Sequence, residues 1–449
     1  MRKEIEVGLG EESSKHIQRY FSSLQQRAWV RKRYQKRTGN PAGQPTHREP
    51  KHWELDQQFN PFYVRSHAES LAFSIAKKIR AGTYEPRPAL RFDVPKASGG
   101  TRTLSIFTVV DSAVSTWLFK RLLERNAPSF SAYSYAYRLD RNAHHAIEHL
   151  AKTVSDKQRV FVLEYDFKRY FDSINHGYLT DVLERHIKVS PNELKLLKSF
   201  MAHRYAGQAA YQAGSFKTST QGFPQGTAIS LFFANVACME LDREIEGTGA
   251  AFARYADDTL IVCDDYASAH RLAAIMLSHS KRSGAQINLL KSEGISLLSS
   301  PGPAEFESKQ GFVFLGHEIS SSNISPSRRS VARIKRHLSE IIYKHLLLYP
   351  KRGEFNPLRI NPHGFDWDLV TCINELRRYL YGRVSAAYLA DALIGAERLV
   401  ISSCALSHFP LVALRCHAMP LILGISECFH VLGIKACVSC LRNKGLCIV

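Results

Sequence analysis

Several things are scarce in this chain. Its 449 residues include nine cysteines, too few and too irregularly spaced for a disulfide scaffold. Six of them lie beyond residue 400, and reduced thiols are expected. The polar start MRKEIEVGLGEESSKH carries neither a signal peptide nor an obvious membrane anchor, so a cytoplasmic, membrane-free protein is expected. No internal repeat is found. Acidic charge is also in short supply: 41 Asp and Glu stand against 60 Lys and Arg, a net charge of +19. That excess is larger than solubility requires and favours a polyanionic partner such as nucleic acid. The length suits about three domain-sized units with ample room for a packed core.

What is present concentrates on FARYADDTLIVC, Phe252 to Cys263, an apolar run broken at its centre by Asp257 and Asp258. Phe252, Tyr255, Leu260, Ile261 and Val262 are aromatic or branched, so YADD reads as a tight turn that lifts its acids to the rim of a sheet. Adjacent carboxylates repel, and a divalent cation that both can face relieves the repulsion. Alone, the tetrapeptide fits a solvated hairpin tip equally well. A third acid shifts the balance. In RVFVLEYDFKRYFDSINH, Arg159 to His176, Val160 to Leu163 form a nearly continuous apolar strand that ends in Asp166, after which the pattern turns toward a helix. One carboxylate at a strand end, facing a hairpin that carries two more, is the layout of a two-metal phosphoryl-transfer site, and hard oxygen ligands suit magnesium.

Six ordered blocks extend this pattern: VPKASGGTRTLSI, FVLEYDFKRYFDSINH, QGFPQGTAISLFFAN, RYADDTLIV, INLLKSE and FVFLGHEI. Together they resemble a fingers block and palm blocks A to E of reverse transcriptases, in the prokaryotic lineage that includes group II intron and retron enzymes. The likeness covers roughly residues 60 to 380. It implies an α+β right-hand polymerase: fingers at 54–158, a palm of antiparallel sheet plus helices at 159–320, and a helical thumb at 321–400. A basic extension and linker, 1–53, would precede them and a Cys-rich tail, 401–449, would follow.

The resemblance also assigns roles. Asp166, Asp257 and Asp258 would hold magnesium, with manganese as an alternative, and the Phe167 backbone carbonyl would add a contact. Lys96 and Arg102 would face the triphosphate, where cations offset developing charge; on residue type alone they are ordinary surface residues. Phe171 would be the aromatic gate that excludes a 2'-hydroxyl, although a core position is the commoner fate of a phenylalanine. Gln225 would bond the nucleotide region, and Gly226 would let the backbone approach template or nucleotide closely. Lys291 would protonate the departing pyrophosphate. Asp172 suits local structure better than metal ligation. FVFLGHEI would seat the primer terminus.

Departures from the family pattern matter too. Ala136 and Leu139 stand where SYGFRPGRSAHDAI has Gly and Pro, and Thr227 and Leu231 stand in a block that many intron enzymes read PQGGxxSPLLAN. The form QGTAISLFFAN is closer to the defence-associated reverse transcriptases of bacteria. That form, with no HNH-like nuclease block, implies cDNA synthesis from a structured noncoding RNA in antiviral defence. The partners would be that RNA, the DNA product and deoxynucleotides, with a homo-oligomer or an associated effector as further options. An intron maturase or retron enzyme, a template-independent self-primed polymerase, and an RNA-binding protein on the same fold are the competing readings.

Elsewhere the chain predicts a helix over 11–38, whose stretch Gln26 to Arg37 places six basic residues around Trp29 and Tyr34. Such interleaving can grip phosphates and stack on bases. A Pro- and Gly-rich linker follows at Thr38 to Trp53, then a helix from Ser66 to Ala81 ended by Gly82. Val109 to Leu123 reads as an amphipathic helix, Ala228 to Leu241 as an apolar one and Ala267 to Ser280 as another. SPSRRSVARIKRHLSEIIYKHL and INELRRYLYGRVS read as basic thumb helices that would follow a duplex through its phosphates. In the tail, Cys437, Cys440 and Cys447 with His417 or His430 could bind zinc, but one CxxC without a second pair favours plain thiols.

Overall fold

The computed structural model describes residues 1–41, 49–95, 100–155, 157–288, 292–299 and 308–343, with residues 372, 374–376 and 379. Two compact units are present, Met1–Leu24 with Thr46–Ser325, and Gln25–Pro45 with Pro326–Val449. In chain order the strands of the first unit are β1 (Ala89–Pro95), β2 (Thr101–Ile106), β3 (Arg159–Tyr165), β4 (Arg204–Ala206), β5 (Lys217–Thr218), β6 (Ala251–Tyr255), β7 (Asp258–Cys263), β8 (Gly294–Ser299), β9 (Ser308–Lys309), β10 (Gly311–Phe314) and β11 (His317–Ser320). One sheet has the order β2-β1-β4-β5 and another β6-β7-β3-β8-β9.

The second of these sheets is buried on both faces, which is why β3 reads as an unbroken apolar run. Side chains alternate across it. Phe161, Leu163, Phe252, Ile261 and Leu297 join the larger core, with Leu179, Val182, Phe232, Leu272 and Met276 from the helices His176–His186, Ala228–Ala237 and Tyr266–Ser283. Val160, Val162, Leu260, Val262 and Leu298 face the other way, against Ile147 and Leu150 of the helix Ala143–Val154 and Phe312, Phe314 and Ile319 of the β10–β11 hairpin. The antiparallel pairing of β6, β7, β3 and β8, with β9 parallel to β8, and this period of two set the register at the strand ends.

Several helices differ from the sequence expectation. The first runs Arg2–Thr38, starting well before residue 11. The expected Ser66–Ala81 helix is two, Pro61–Ser66 and Ala68–Ala81, joined at His67, and Gly82 closes the second in the left-handed conformation at φ +65°. The expected Ala228–Leu241 helix breaks at Cys238 into Ala228–Ala237 and Met239–Glu246. Val109–Asn126 is buried on most sides rather than amphipathic. Its polar residues are bonded inside: Asp111 accepts from the Tyr84 hydroxyl at 2.6 Å, and the Ser115 Oγ accepts from the Ile229 N–H at 2.9 Å. In the second unit a helix spans Arg328–Ile342, with Ile334, Leu338, Ile341 and Ile342 buried. The three cysteines among the described residues, Cys238, Cys263 and Cys372, are buried. The zinc-type group at Cys437, Cys440, Cys447, His417 and His430 lies outside the described residues.

His279, on the helix Tyr266–Ser283, is fully buried, and neither ring nitrogen has a hydrogen-bond partner. Burial pulls its pKa down to about 3, so the folded protein holds it neutral. A depressed histidine pKa adds stability above the unfolded value of about 6.5 that is progressively lost as pH falls toward the folded value, about 2 kcal/mol of it by pH 5. His279→Met should therefore raise the melting temperature at pH 8 and raise it further at pH 5. Equal gains at the two pH values would show that the ring is not held neutral.

Candidate active site

The two strands that carry the acids are neighbours in the sheet. β3 and β7 pair antiparallel with Tyr165 opposite Thr259, so the next residue on each strand brings Asp166 across from Asp258 at one rim. Asp257 sits in the two-residue turn between β6 and β7, which closes on the Tyr255–Asp258 pair. Ala256, the first turn residue, takes the left-handed φ of +61°, a conformation that costs an L residue about 1–2 kcal/mol. The three acids singled out in the sequence are thus brought together by register alone.

A loop from the expected block D holds Asp166 in place. The Asn288 N–H donates to the Asp166 carbonyl at 2.8 Å, the Lys168 N–H donates to Gln286 at 2.7 Å, and Phe167 bridges Ile287. In this pattern the Phe167 carbonyl points away from the bridge, while its ring is buried against Tyr170 and His279. The Asn288 side-chain amide donates to Asp166 Oδ2 at 2.9 Å, and the Ser292 Oγ accepts from the Asp166 N–H at 3.1 Å. Neither Asn288 nor Ser292 is singled out by the sequence reading. Lys291, between them, lies outside the described residues.

β1 and β2 of the fingers block pair antiparallel as a hairpin, with Val94 opposite Arg102, whose side chain is exposed. Lys96, Ser98 and Gly99 fall outside the described residues. The hairpin is fastened to block B: the Ser105 N–H donates to the Gln225 carbonyl at 2.8 Å. Gly226, at φ +126°, has no room for a side chain, since a Cβ there would meet the Ser105 carbonyl at 2.6 Å. The close approach made by Gly226 in the structure is therefore to β2. Block B is tied to block A as well, the Phe223 N–H donating to Phe171 and the Gly222 N–H to Ile174, each at 2.8 Å.

Phe171 and Gln225 meet in a pocket of about 200 Å³ bounded also by Arg91, Ser105, His203 and Tyr205. Phe171 is half-buried and packs edge-on to Phe223 with ring centroids 5.1 Å apart. This position serves a pocket wall and a core contact at once. Asp172 is exposed at the pocket's edge, where its Oδ1 accepts from the Gln225 amide at 3.5 Å. Arg91 lies over the Tyr205 ring at 4.3 Å, and burial lowers the His203 pKa to about 4, so that ring is neutral near pH 7.

Tyr137 is another residue that sequence reasoning passed over. Residues 133–135 run beside β6 in parallel: the Arg254 N–H donates to Tyr133 and the Tyr135 N–H donates to Arg254, both at 2.9 Å. Continuing that register carries Tyr137 alongside the YADD turn. Burial raises its pKa first, then the charges of Asp257, Tyr255 and Asp258, with Arg102 opposing them. The left-handed residue of this segment is Tyr137, at φ +58°, rather than Ala136. The signal available in the sequence was a tyrosine where the family stretch has phenylalanine.

Among the described residues no group of three or more Asp, Glu, His or Cys side chains is placed to hold a metal ion by itself. Magnesium needs none. It is held by one or two carboxylates, water and substrate phosphates, and three carboxylates on one rim are a donor set of that kind.

A model of the family described as reverse transcriptase (RNA-dependent DNA polymerase) matches residues 94–319, half of the chain and all of the rim just described. The chain belongs to the reverse transcriptase family. Its α+β right-hand fold is the one that family membership implies. The chain is 28% identical over 169 residues to protein YkfC of Escherichia coli, covering 37% of the chain and 43% of that protein. It is 29% identical over 178 residues to the uncharacterized 91 kDa protein in the cob intron of Schizosaccharomyces pombe, covering 40% of the chain and 21% of that protein. The chain thus spans less than half the length of the curated relatives it matches. Among solved structures, apo telomerase from Candida tropicalis aligns at a TM-score of 0.43 and 12% identity, over 81% of this chain and 70% of that one. No helix among the described residues is long and apolar enough to cross a membrane.

Proposed function

We propose that this reverse transcriptase is an RNA-directed DNA polymerase whose centre is the rim formed by Asp166, Asp257 and Asp258. The observation that carries the reading is the β3–β7 register, which sets Asp166 opposite Asp258 beside the turn bearing Asp257. A primer 3'-hydroxyl attacks the α-phosphate of a deoxynucleotide, a P–O bond forms, and the bond to pyrophosphate breaks. Two magnesium ions would be held by the three carboxylates and the Phe167 carbonyl; when bound they activate the attacking hydroxyl and neutralise the leaving oxygens. Asn288 orients the Asp166 carboxylate. Lys96 and Arg102 face the triphosphate and Lys291 protonates the leaving pyrophosphate. Phe171 and Gln225 line the nucleotide pocket, where the phenyl ring excludes a 2'-hydroxyl.

The template in this reading is a structured noncoding RNA copied in antiviral defence. Support comes from the block B form QGTAISLFFAN, from the net charge of +19 and from the basic, aromatic stretch Gln26 to Arg37, which would grip that RNA. A second reading, an intron-encoded enzyme, is favoured by the likeness to the protein in the cob intron. Sequencing the RNA and DNA that copurify with the chain distinguishes them. One small RNA from a neighbouring locus, with its cDNA, is expected. Enrichment of the chain's own intron transcript would replace the defence reading with the intron one.

A further inference from the structure

Arg254, two residues before the YADD turn, is 0% exposed. Burying a guanidinium costs several kcal/mol unless its charge is paired and its donors are used. Here all five N–H donors are placed. Nε and Nη2 fork onto the two oxygens of Asp242 at 2.7 Å each, and Nη2 also donates to the Ser134 Oγ at 2.7 Å. Nη1 donates to Asn235 Oδ1 at 3.3 Å and to the Ala256 carbonyl at 2.9 Å. Burial raises the proton affinity of Asp242, but the two-pronged contact keeps the pair ionised.

Four of the five bonds run to the core. Asp242 belongs to the helix Met239–Glu246, Asn235 to the helix Ala228–Ala237 and Ser134 to the segment beside β6. Asn235 is itself fixed, its amide donating to the Ala136 carbonyl at 2.9 Å. The fifth bond reaches out to Ala256, the left-handed residue immediately before Asp257. Well-packed hydrophobic residues would fill the same space at no desolvation cost, so packing does not account for the pair.

We infer that Arg254 is a positioning residue that sets the pitch of the Asp257–Asp258 tip by clamping the Ala256 carbonyl to a strut anchored on three core elements. The inference rests on the proposed reading of those two acids as metal ligands. Removing the clamp lets the turn relax, so the carboxylates lose their fixed approach to a cation while the fold persists.

The test uses the full chain and Mn²⁺ binding followed by electron paramagnetic resonance, which needs no substrate. Arg254→Lys keeps a cation beside Asp242 but cannot also reach Ala256. It is expected to melt within a few degrees of wild type and to bind Mn²⁺ roughly tenfold more weakly, the lower end of what loss of an outer-sphere partner costs. Should the lysine variant fail to fold, the double replacement Arg254→Met with Asp242→Leu removes both charges and refills the space, with the same weakening expected. Wild-type affinity in either folded variant overturns the inference and leaves the metal reading standing. Wild-type protein that binds no Mn²⁺, or binds it equally after Asp257→Asn, overturns the metal reading and this inference together.

Discussion

Replacing Asp257 and Asp258 together with alanine should lower primer extension by roughly three orders of magnitude or more, at least the loss that follows when preorganised charge stabilisation is removed from a reaction centre. The β6–β7 turn closes through backbone pairing of Tyr255 with Asp258, and the buried contacts of Arg254 beneath it do not involve either carboxylate. The fold is therefore expected to survive. Two like charges are also removed from adjacent positions, so without metal the variant should melt no lower than wild type. Extension assays and thermal melts on the same preparation check both halves.

The second large effect falls on Gly226. An alanine there must hold φ near +126° and push its Cβ into the Ser105 carbonyl, 2.6 Å away. Neither side of that contact is a movable side chain. Gly226→Ala should cost about 3 kcal/mol or more, combining left-handed strain with backbone displacement. It should also loosen the Ser105–Gln225 bond that fastens β2 to block B, raising the KM for deoxynucleotide. Gly249→Ala is the matched control: its φ is +75°, yet nothing lies within 4 Å of the added methyl. Strain alone should cost it only about 1–2 kcal/mol. Denaturant midpoints that shift equally in the two variants would show that the approach to Ser105 does not matter.

The acidic rim was legible in the sequence because each part has its own local cause. A strand buried on both faces must be apolar throughout, so VFVL marked β3 and its end marked Asp166; the aromatic and branched residues around YADD marked a hairpin in the same way. What sequence alone left hidden depends on tertiary partners. The break at Cys238 interrupts a largely apolar run with no glycine or proline to mark it. Val109 to Leu123 looked two-sided because polar residues of that helix bond to Tyr84 and Ile229, which lie far away in the chain. Asn288 meets the Asp166 carboxylate, and Arg254 the Ala256 carbonyl, through long-range or buried hydrogen bonds, and no periodicity carries such a contact. Gly226 was legible as a close approach, but its partner, a strand of the same chain, was not.

In the proposed function the rim copies RNA into DNA. Its most direct test is extension of a primer annealed to an RNA template by the purified full chain, with magnesium and four deoxynucleotides. The expected products reach the template's end, vanish when the metal is chelated and are absent with the Asp257→Ala, Asp258→Ala protein. A folded wild-type chain that extends no primer on RNA, or a double variant that extends it as well as wild type, would contradict it.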